Sequence, residues 1–279
     1  MKAERPSRTA QFVTLGRALA DAGLSHVPDF HDPTARVFLT ERGKRSLART
    51  QRAVQEGKRT MARVMADLMA LRTAAIDSAV RAAIAAGTKQ LVILGAGYDG
   101  RAWRMPELAG VKVFEVDQAI TQTEKRARVG ELPPSIGTVS FVPMNFKTDS
   151  LATPLERAGH DRSLPTCWIW EGVVMYLTHA VMRATLAQIG ARSAPGSTLI
   201  VNYHTAHRRL FARIIFRLIG EPQISASEPE DMAADLRAAG FLVSDDSGMV
   251  DWNHRFAGGG ARVDRGRFMR IVVARSAAS

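Results

Sequence analysis

The chain has 279 residues, of which 46% are hydrophobic, 23% charged and only 6% aromatic. This composition is typical of one large globular unit with an aliphatic core, and it excludes a disordered chain, collagen and a coiled coil. No stretch approaches the roughly 20 apolar residues that span a bilayer, and the N-terminus lacks the apolar core of a signal peptide, so we expect a cytoplasmic protein. The single cysteine, Cys167, excludes an internal disulfide and a cysteine-rich metal site.

The net charge of +11 is concentrated near the N-terminus, because residues 1–90 carry 16 basic and 8 acidic side chains. A basic segment of this kind attracts nucleic acid, anionic lipid or an acidic substrate. We favour a solvated helix face over a nucleic-acid site. The basic residues from Arg42 to Arg63 alternate with apolar residues at helical spacing and lack the aromatic side chains that stack on bases.

Residues 1–89 are predicted to form a mostly helical N-terminal cap. From residue 90 onward, short apolar strands alternate with helical intervals, as in parallel sheets with crossover helices. Residues 251–267 lack a helical pattern, so we expect the last two strands to be antiparallel neighbours with glycines 258–260 at a hairpin tip. The predicted strands are 91–94, 111–116, 138–143, 166–171, 197–202, 241–246 and 267–275.

This pattern predicts an α/β fold in residues 90–279, with a doubly wound, Rossmann-like sheet of seven strands. Seven strands with an antiparallel last pair are the arrangement of class I methyltransferases. The helical cap and the sheet are expected to form one structural unit.

The segment at residues 91–105, LVILGAGYDGRAWRM, contains a buried strand that leads through glycines into a helix. Gly95 and Gly97 allow the backbone to approach a ligand at the carboxyl end of the strand. Together with Gly100 they also satisfy the dinucleotide pattern G-x-G-x-x-G, and Glu115 and Asp117 follow about 20 residues later to accept ribose hydroxyls. These elements suit both NAD and S-adenosylmethionine.

Two observations weaken the alternative of an NAD-dependent oxidoreductase. Some 90 helical residues precede the sheet, whereas a dinucleotide fold usually starts near the beginning of its domain. No tyrosine has a lysine four positions later, so a Tyr-x-x-x-Lys pair for hydride transfer is absent.

Several motifs occur in a characteristic order along nearly the whole chain. They are SRTAQFVTLGRA, FHDPTARVFL, LRTAAID, LGAGYDGRAWRM, FEVDQ, PMNF and WEGVVMYLT. In this order and spacing the sequence resembles the leucine carboxyl methyltransferase-like family of S-adenosylmethionine-dependent O-methyltransferases. The resemblance implies the seven-stranded methyltransferase fold with an N-terminal helical addition and S-adenosylmethionine as cofactor.

The resemblance also implies the roles of individual residues. Arg72 would pair with the methionine carboxylate of the cofactor through its two-pronged guanidinium, and Arg101 would support the loop or this carboxylate. Glu171, at the end of the fourth strand, would lie by the methionine amino group or the reaction centre. The full set of implied cofactor-binding residues is Arg72, Gly95, Gly97, Arg101, Glu115, Asp117, Asn145, Phe146 and Glu171.

Within this set, Asp117 with Glu115 nearby would hold the ribose, and Asn145 and Phe146 would flank the adenine. The sequence departs from the family pattern at three positions. Gly100 stands where the family often has threonine, Ala119 where it has proline, and Asn145 where aspartate is usual. The adenine contacts are therefore less well supported than the ribose contact.

Methyl transfer to oxygen requires in-line positioning and no metal ion. A carboxylate acceptor needs no base, whereas a hydroxyl benefits from one, and the candidate catalytic residues are Glu171, Tyr176 and His204. A small-molecule methyl acceptor is expected, with carboxyl methylation slightly favoured. An RNA methyltransferase or a basic non-enzymatic binding protein is the further alternative.

Residues 207–220 are predicted to form an amphipathic helix with an arginine stripe. We rank a lid or pocket wall first for this helix. A homodimer contact comes second, and a membrane-surface helix third.

Overall fold

The computed structural model describes residues 8–58, 61–146, 148–206, 224–263 and 266–277. Its N-terminal part consists of helices, as predicted. A π-helical turn, Ala20–Leu24, follows the first of them. The helices are α1 (Arg8–Leu19), α2 (Pro33–Phe38), α3 (Glu41–Gln55) and α4 (Ala62–Ala85).

Local sequence explains where these helices begin. Asp32 accepts a hydrogen bond from the backbone of Ala35, and Pro33 occupies the first turn of α2, where its missing N–H costs nothing. Thr40 caps α3 in the same way by accepting from Gly43 N. Helix α4 continues for 24 residues without glycine or proline.

The described residues also form one sheet of seven strands, which confirms the predicted fold class. The strands are β1 (Gln90–Leu94), β2 (Lys112–Asp117), β3 (Thr138–Pro143), β4 (Thr166–Trp170), β5 (Thr198–His204), β6 (Phe241–Gly248) and β7 (Met269–Ser276). Their order is β3-β2-β1-β4-β5-β7-β6. Strands β1 to β5 are mutually parallel, whereas β7 is antiparallel to both β5 and β6.

The crossovers carry the remaining helices. These are α5 (Arg101–Arg104), α6 (Ala119–Val129), α7 (Ala152–Arg157), α8 (His179–Ala191), α9 (Pro229–Ala238) and α10 (Met249–Ala257), with 3₁₀ turns at Pro106–Leu108 and Val174–Tyr176. Among the residues described, no helix combines the length and the apolar character that crossing a membrane requires.

The central strands β1 and β4 are apolar after their first residue because both faces of the sheet are covered. Leu91 and Ile93 of β1 pack with α1 and α4 in one core, and Val92 and Leu94 pack with α7 and α8 in the other. In β4, Trp168 is fully buried in this second core. The N-terminal helices thus cover one face of the sheet.

The segment between the last two strands differs from the prediction. We expected no helix there, but residues Met249–Ala257 form α10. Met249 and Trp252 are buried, and Trp252 Nε1 donates to Ser247 Oγ at 2.9 Å. Gly258, with φ of 55°, ends this helix in the left-handed conformation instead of forming a hairpin tip. The predicted helix at 207–220 lies outside the described residues.

Candidate functional site

A cavity of about 1160 Å³ lies at the carboxyl ends of the parallel strands. Strands β1 and β4 are neighbours in the sheet, and β2 lies on the other side of β1. The crossovers therefore run in opposite directions from this point, which leaves a crevice where open α/β sheets bind their ligands. Helices α1, α3 and α4 contribute the opposite wall of the cavity.

The turn after β1 brings backbone to the cavity wall. Gly95 and Gly97 line the cavity and have φ angles of 69° and 48°, in the left-handed region that favours glycine. A Cβ at Gly95 would lie 2.2 Å from Cγ2 of Val173, so no side chain fits there. The predicted cofactor loop therefore has the conformation that its glycines suggest.

Asp117, the last residue of β2, is held beside this turn. Its Oδ2 accepts from Gly97 N at 2.6 Å, and its Oδ1 accepts from Gln118 N at 2.6 Å. Burial raises the pKa of Asp117, although these two backbone N–H groups favour the ionised form. A carboxylate that is oriented by two amides is well placed to accept ribose hydroxyls.

Arg72 and Glu171 form an ion pair in the wall of the cavity. Arg72 Nε lies 2.8 Å from Glu171 Oε1, and the two side chains are 6% and 15% exposed. Arg72 Nε makes no hydrogen bond of good geometry with any described residue. The contact with Glu171 is therefore an electrostatic ion pair and not a directed hydrogen bond from Nε. Burial by itself would raise the pKa of Glu171, but Arg72 and Arg101 outweigh it and keep the pKa below its usual value.

Arg101 lies behind this pair and does not line the cavity. It is 2% exposed, donates from Nε to Asp77 Oδ1 at 2.7 Å and from Nη1 to Glu171 Oε2 at 3.0 Å, and also contacts Asp99. Burial lowers the pKa of Arg101, but the surrounding carboxylates raise it well above its usual value. The structure therefore places Arg101 where it positions Glu171 and the glycine turn.

Glu115 does not line the cavity either. It is 1% exposed and accepts from Lys125 Nζ at 2.6 Å. Burial raises the pKa of Glu115 to about 7, against the opposing effect of Lys125. Of the two carboxylates expected near the ribose, only Asp117 reaches the cavity.

Asn145 and Phe146 line the cavity just after β3, next to Asp117. Asn145 N donates to Asp149 Oδ2 at 2.8 Å, which fixes the backbone of this turn. The ring of Phe146 stacks on Trp170, with centroids 6.4 Å apart and planes 28° apart. This part of the wall offers a flat apolar surface beside an amide, as an adenine ring requires.

Tyr176 and His204 line the cavity on the side of β4 and β5. Tyr176 ends the 3₁₀ turn Val174–Tyr176, and His204 is the last residue of β5. His204 is buried and packs edge-on against Phe268, with ring centroids 4.7 Å apart. Both candidates therefore face the same space as Glu171.

The start of α5 bears on the dinucleotide alternative. Asp99 accepts a hydrogen bond from Arg101 N at 2.8 Å, so a carboxylate occupies the position where a pyrophosphate would bind at a helix N-terminus. The helix has only four residues. The Asp99 carboxylate would repel a pyrophosphate here, which argues against dinucleotide binding. The third glycine of the pattern, Gly100, has a different role.

Gly100 provides space for a neighbouring side chain. A Cβ at this position would lie 1.7 Å from Thr34 Oγ1. That hydroxyl donates to Asp32 Oδ1 at 2.5 Å. The residue at position 100 is therefore glycine because α2 supplies a threonine side chain to the same space.

Sequence reasoning assigned no role to some residues at the site. Arg17 lines the cavity and donates to Tyr98 O at 2.6 Å, and its presence in the motif SRTAQFVTLGRA was a usable signal. Asp99 lies within the glycine motif and could also have been found. Lys125, which donates to Asp99 O at 2.6 Å, lies in no recognisable motif.

Comparison with solved structures supports the fold. A DUF574 family protein from Streptomyces avermitilis superposes with a TM-score of 0.61 at 14% identity, covering 94% of this chain and 97% of its own. Magnesium protoporphyrin IX methyltransferase from Synechocystis, solved with bound S-adenosylhomocysteine, gives a TM-score of 0.53 at 15% identity. The superposition covers 84% of this chain and 95% of that protein.

Comparison of sequences shows the family. A "Putative S-adenosyl-L-methionine-dependent methyltransferase" from Mycolicibacterium gilvum is 34% identical over 204 residues, which cover 70% of this chain and 65% of the relative. A protein of the same name from Mycolicibacterium paratuberculosis is 36% identical over 229 residues, covering 78% and 69%. The chain thus spans just under two thirds of the first relative's length.

The model of the leucine carboxyl methyltransferase family matches residues 10–190. This range includes most of α1, the glycine turn and the Arg72–Glu171 pair. The chain therefore belongs to the leucine carboxyl methyltransferase family of S-adenosylmethionine-dependent methyltransferases.

Proposed function

We propose that this protein transfers a methyl group from S-adenosylmethionine to an oxygen atom, a carboxylate or a hydroxyl, of a small molecule. The observation that carries the proposal is the Arg72–Glu171 pair, which lines the same cavity as Asp117 and the glycine turn. This set offers a cation for a carboxylate, an anion for an ammonium group and an anion for ribose hydroxyls.

The residues present fit the cofactor in these roles. Arg72, which lines the cavity, would bind the methionine carboxylate through its guanidinium, and Glu171 would accept from the amino group. Asp117 would accept from the ribose hydroxyls while the amides of Gly97 and Gln118 keep it in place. The remaining contact, to adenine, falls to Asn145 and Phe146.

When bound, the cofactor supplies a methyl group on a positively charged sulfur, and the acceptor oxygen attacks the methyl carbon in line with the carbon–sulfur bond, which breaks. The protein must therefore align the acceptor and exclude water. A carboxylate acceptor is already ionised, so no base is required. For a hydroxyl acceptor, the His204 imidazole would take the proton, and Tyr176 would orient the acceptor oxygen by a hydrogen bond, since both line the same cavity as Glu171.

Calorimetric titration with S-adenosylhomocysteine tests the cofactor part of this proposal. We expect micromolar binding by the wild type. In Asp117→Asn we expect binding to be weakened by at least about tenfold, because the variant lacks the charged carboxylate that accepts from two backbone amides and from the ribose hydroxyls. Asp231→Asn, at an exposed carboxylate on α9 outside the site, is the matched control. Binding of NAD or NADP without binding of S-adenosylhomocysteine would contradict the proposal.

The acceptor atom is identified by the stability of the product. Radiolabelled S-adenosylmethionine is incubated with panels of carboxylic acids, phenols and alcohols, and the products are treated with alkali. A methyl ester releases volatile methanol, whereas a methyl ether survives. Label that is found only on nitrogen, sulfur or carbon would refute oxygen methylation.

A further inference from the structure

We infer that the methyl acceptor is an elongated amphipathic molecule, with an apolar chain of about ten carbon atoms or more and an anionic group at its outer end. This inference rests on the proposed function and specifies its substrate. It is drawn from the part of the cavity beyond the cofactor residues, which we call the methionine chamber. The chamber is lined by Met61, Met65, Met69, Met175 and Met269, with Phe12 and Val13 of α1.

Helix α4 sets the depth of the chamber. Met61, Met65, Met69 and Arg72 follow at intervals of four, four and three residues, so they lie along one face of the helix. At 1.5 Å per residue, Met61 is about 16 Å from Arg72 along the axis. Carbon–carbon bonds advance an extended chain by somewhat less than 1.5 Å each, so this depth takes roughly eleven to thirteen methylenes.

The two ends of the chamber differ in exposure. Met69 is 6% exposed and packs so closely against α1 that a Cβ at Gly16 would lie 2.4 Å from its Cγ. Met61 is 53% exposed. The chamber therefore opens to solvent at the end distant from Arg72 and Glu171.

Charged side chains line the cavity only near the strand termini, in the part of the chain that the structure describes. The two arginines among them are already paired, since Arg17 donates to Asp32 Oδ2 at 2.9 Å and Arg72 contacts Glu171. A charged group buried midway along the chamber would lack an opposite charge. Flexible methionine side chains, by contrast, adapt to apolar ligands of varied shape.

The mouth of the chamber has the opposite character. On α3, Ser46 and Thr50 line the cavity. Next to them on the helix surface, Arg42, Arg45, Arg49 and Arg52 form an exposed stripe at intervals of three, four and three residues. None of these four arginines is in a salt bridge with another described residue. An anionic group at the outer end of a ligand would lie within reach of this stripe.

Calorimetry with simple amphiphiles tests the inference, using protein saturated with S-adenosylhomocysteine and ligands below their micelle concentrations. We expect decyl phosphate to bind, decanol to bind about tenfold more weakly at low salt, and butyl phosphate not to bind. In the double variant Arg42→Gln, Arg49→Gln, the difference between decyl phosphate and decanol should disappear. Arg237→Gln, an exposed arginine on α9, is the matched control.

Two further variants test the chamber itself. Met61→Lys places a charge at an exposed position of the mouth, where folding tolerates it, and Met65→Lys places one inside. We expect both variants to keep wild-type affinity for S-adenosylhomocysteine, which reports on folding and the cofactor site, while Met65→Lys loses both decyl ligands. Failure to bind S-adenosylhomocysteine would count against the proposed function instead.

Three results would overturn the inference. They are equal affinity for butyl and decyl phosphate, unchanged binding of decyl ligands by Met65→Lys, and adsorption to phosphatidylglycerol vesicles without binding of monomeric decyl phosphate. The last result would assign the arginine stripe to a lipid surface.

Discussion

Asp77 on α4 connects stability to the site, and the variant Asp77→Asn removes its charge while keeping its shape. The carboxylate is 4% exposed and accepts from Arg101 Nε at 2.7 Å and from Arg104 at 2.7 and 3.0 Å. Burial alone would raise its pKa. The two arginines outweigh burial and lower the pKa from 3.8 to about 2.

The size of the effect follows from this shift. A pKa of about 2 in place of 3.8 corresponds to about 2 kcal/mol, at roughly 1.4 kcal/mol per pKa unit. Because the folded-state pKa lies below the unfolded-state value, this stabilisation is present above pH 4 and is lost as the pH falls toward 2. At pH 3, roughly midway between the two pKa values, about half of it remains.

Urea unfolding at pH 7 and at pH 3 measures the effect. We expect Asp77→Asn to lower the free energy of unfolding by at least about 2 kcal/mol at pH 7, since Asp32, 3.7 Å from Arg104 Nε, is then the one carboxylate left in ion-pair range of Arg104 among the described residues. The difference between variant and wild type in free energy of unfolding should narrow by about 1 kcal/mol at pH 3. Glu131→Gln, an exposed carboxylate, should show neither effect. A gap that is below 1 kcal/mol or independent of pH would refute the reasoning.

Two further predictions concern buried groups near the site and the sheet. Gly100→Ala should lower the free energy of unfolding by about 1–3 kcal/mol, because its Cβ would overlap Thr34. In urea unfolding, adding Thr34→Gly to Gly100→Ala should restore part of this loss. Additive losses in the double variant would contradict the overlap. Burial and Arg192 lower the pKa of His160 from 6.5 to about 4, so wild-type stability should fall by about 3 kcal/mol between pH 6.5 and pH 4 as the unfolded chain takes up the proton. His160→Gln should flatten this pH dependence in thermal unfolding, and an unchanged slope would show that other groups cause it.

The candidate site shows how far single residues could be predicted. Asp117 and Glu171 each end an apolar strand, and carboxyl ends of parallel strands meet at one edge, so their convergence on one cavity followed from strand order. Arg101 and Glu115 were equally prominent in the sequence. Whether such a residue reaches the cavity depends on its partner. The partner of Arg101 is Asp77, 24 residues away in the sequence, and the partner of Glu115 is Lys125, ten residues away.

The sequence by itself determined the strands, the helical N-terminus and the glycine turn, because each depends on local patterns of burial and on backbone conformations that few residues adopt. Only the tertiary structure decided the rest. It placed β7 between β5 and β6, and it made residues 249–257 helical, since Met249 and Trp252 found a core to bury them. It also made α1 and α4 a wall of the cavity. Such contacts join residues distant in sequence, and no local pattern specifies them.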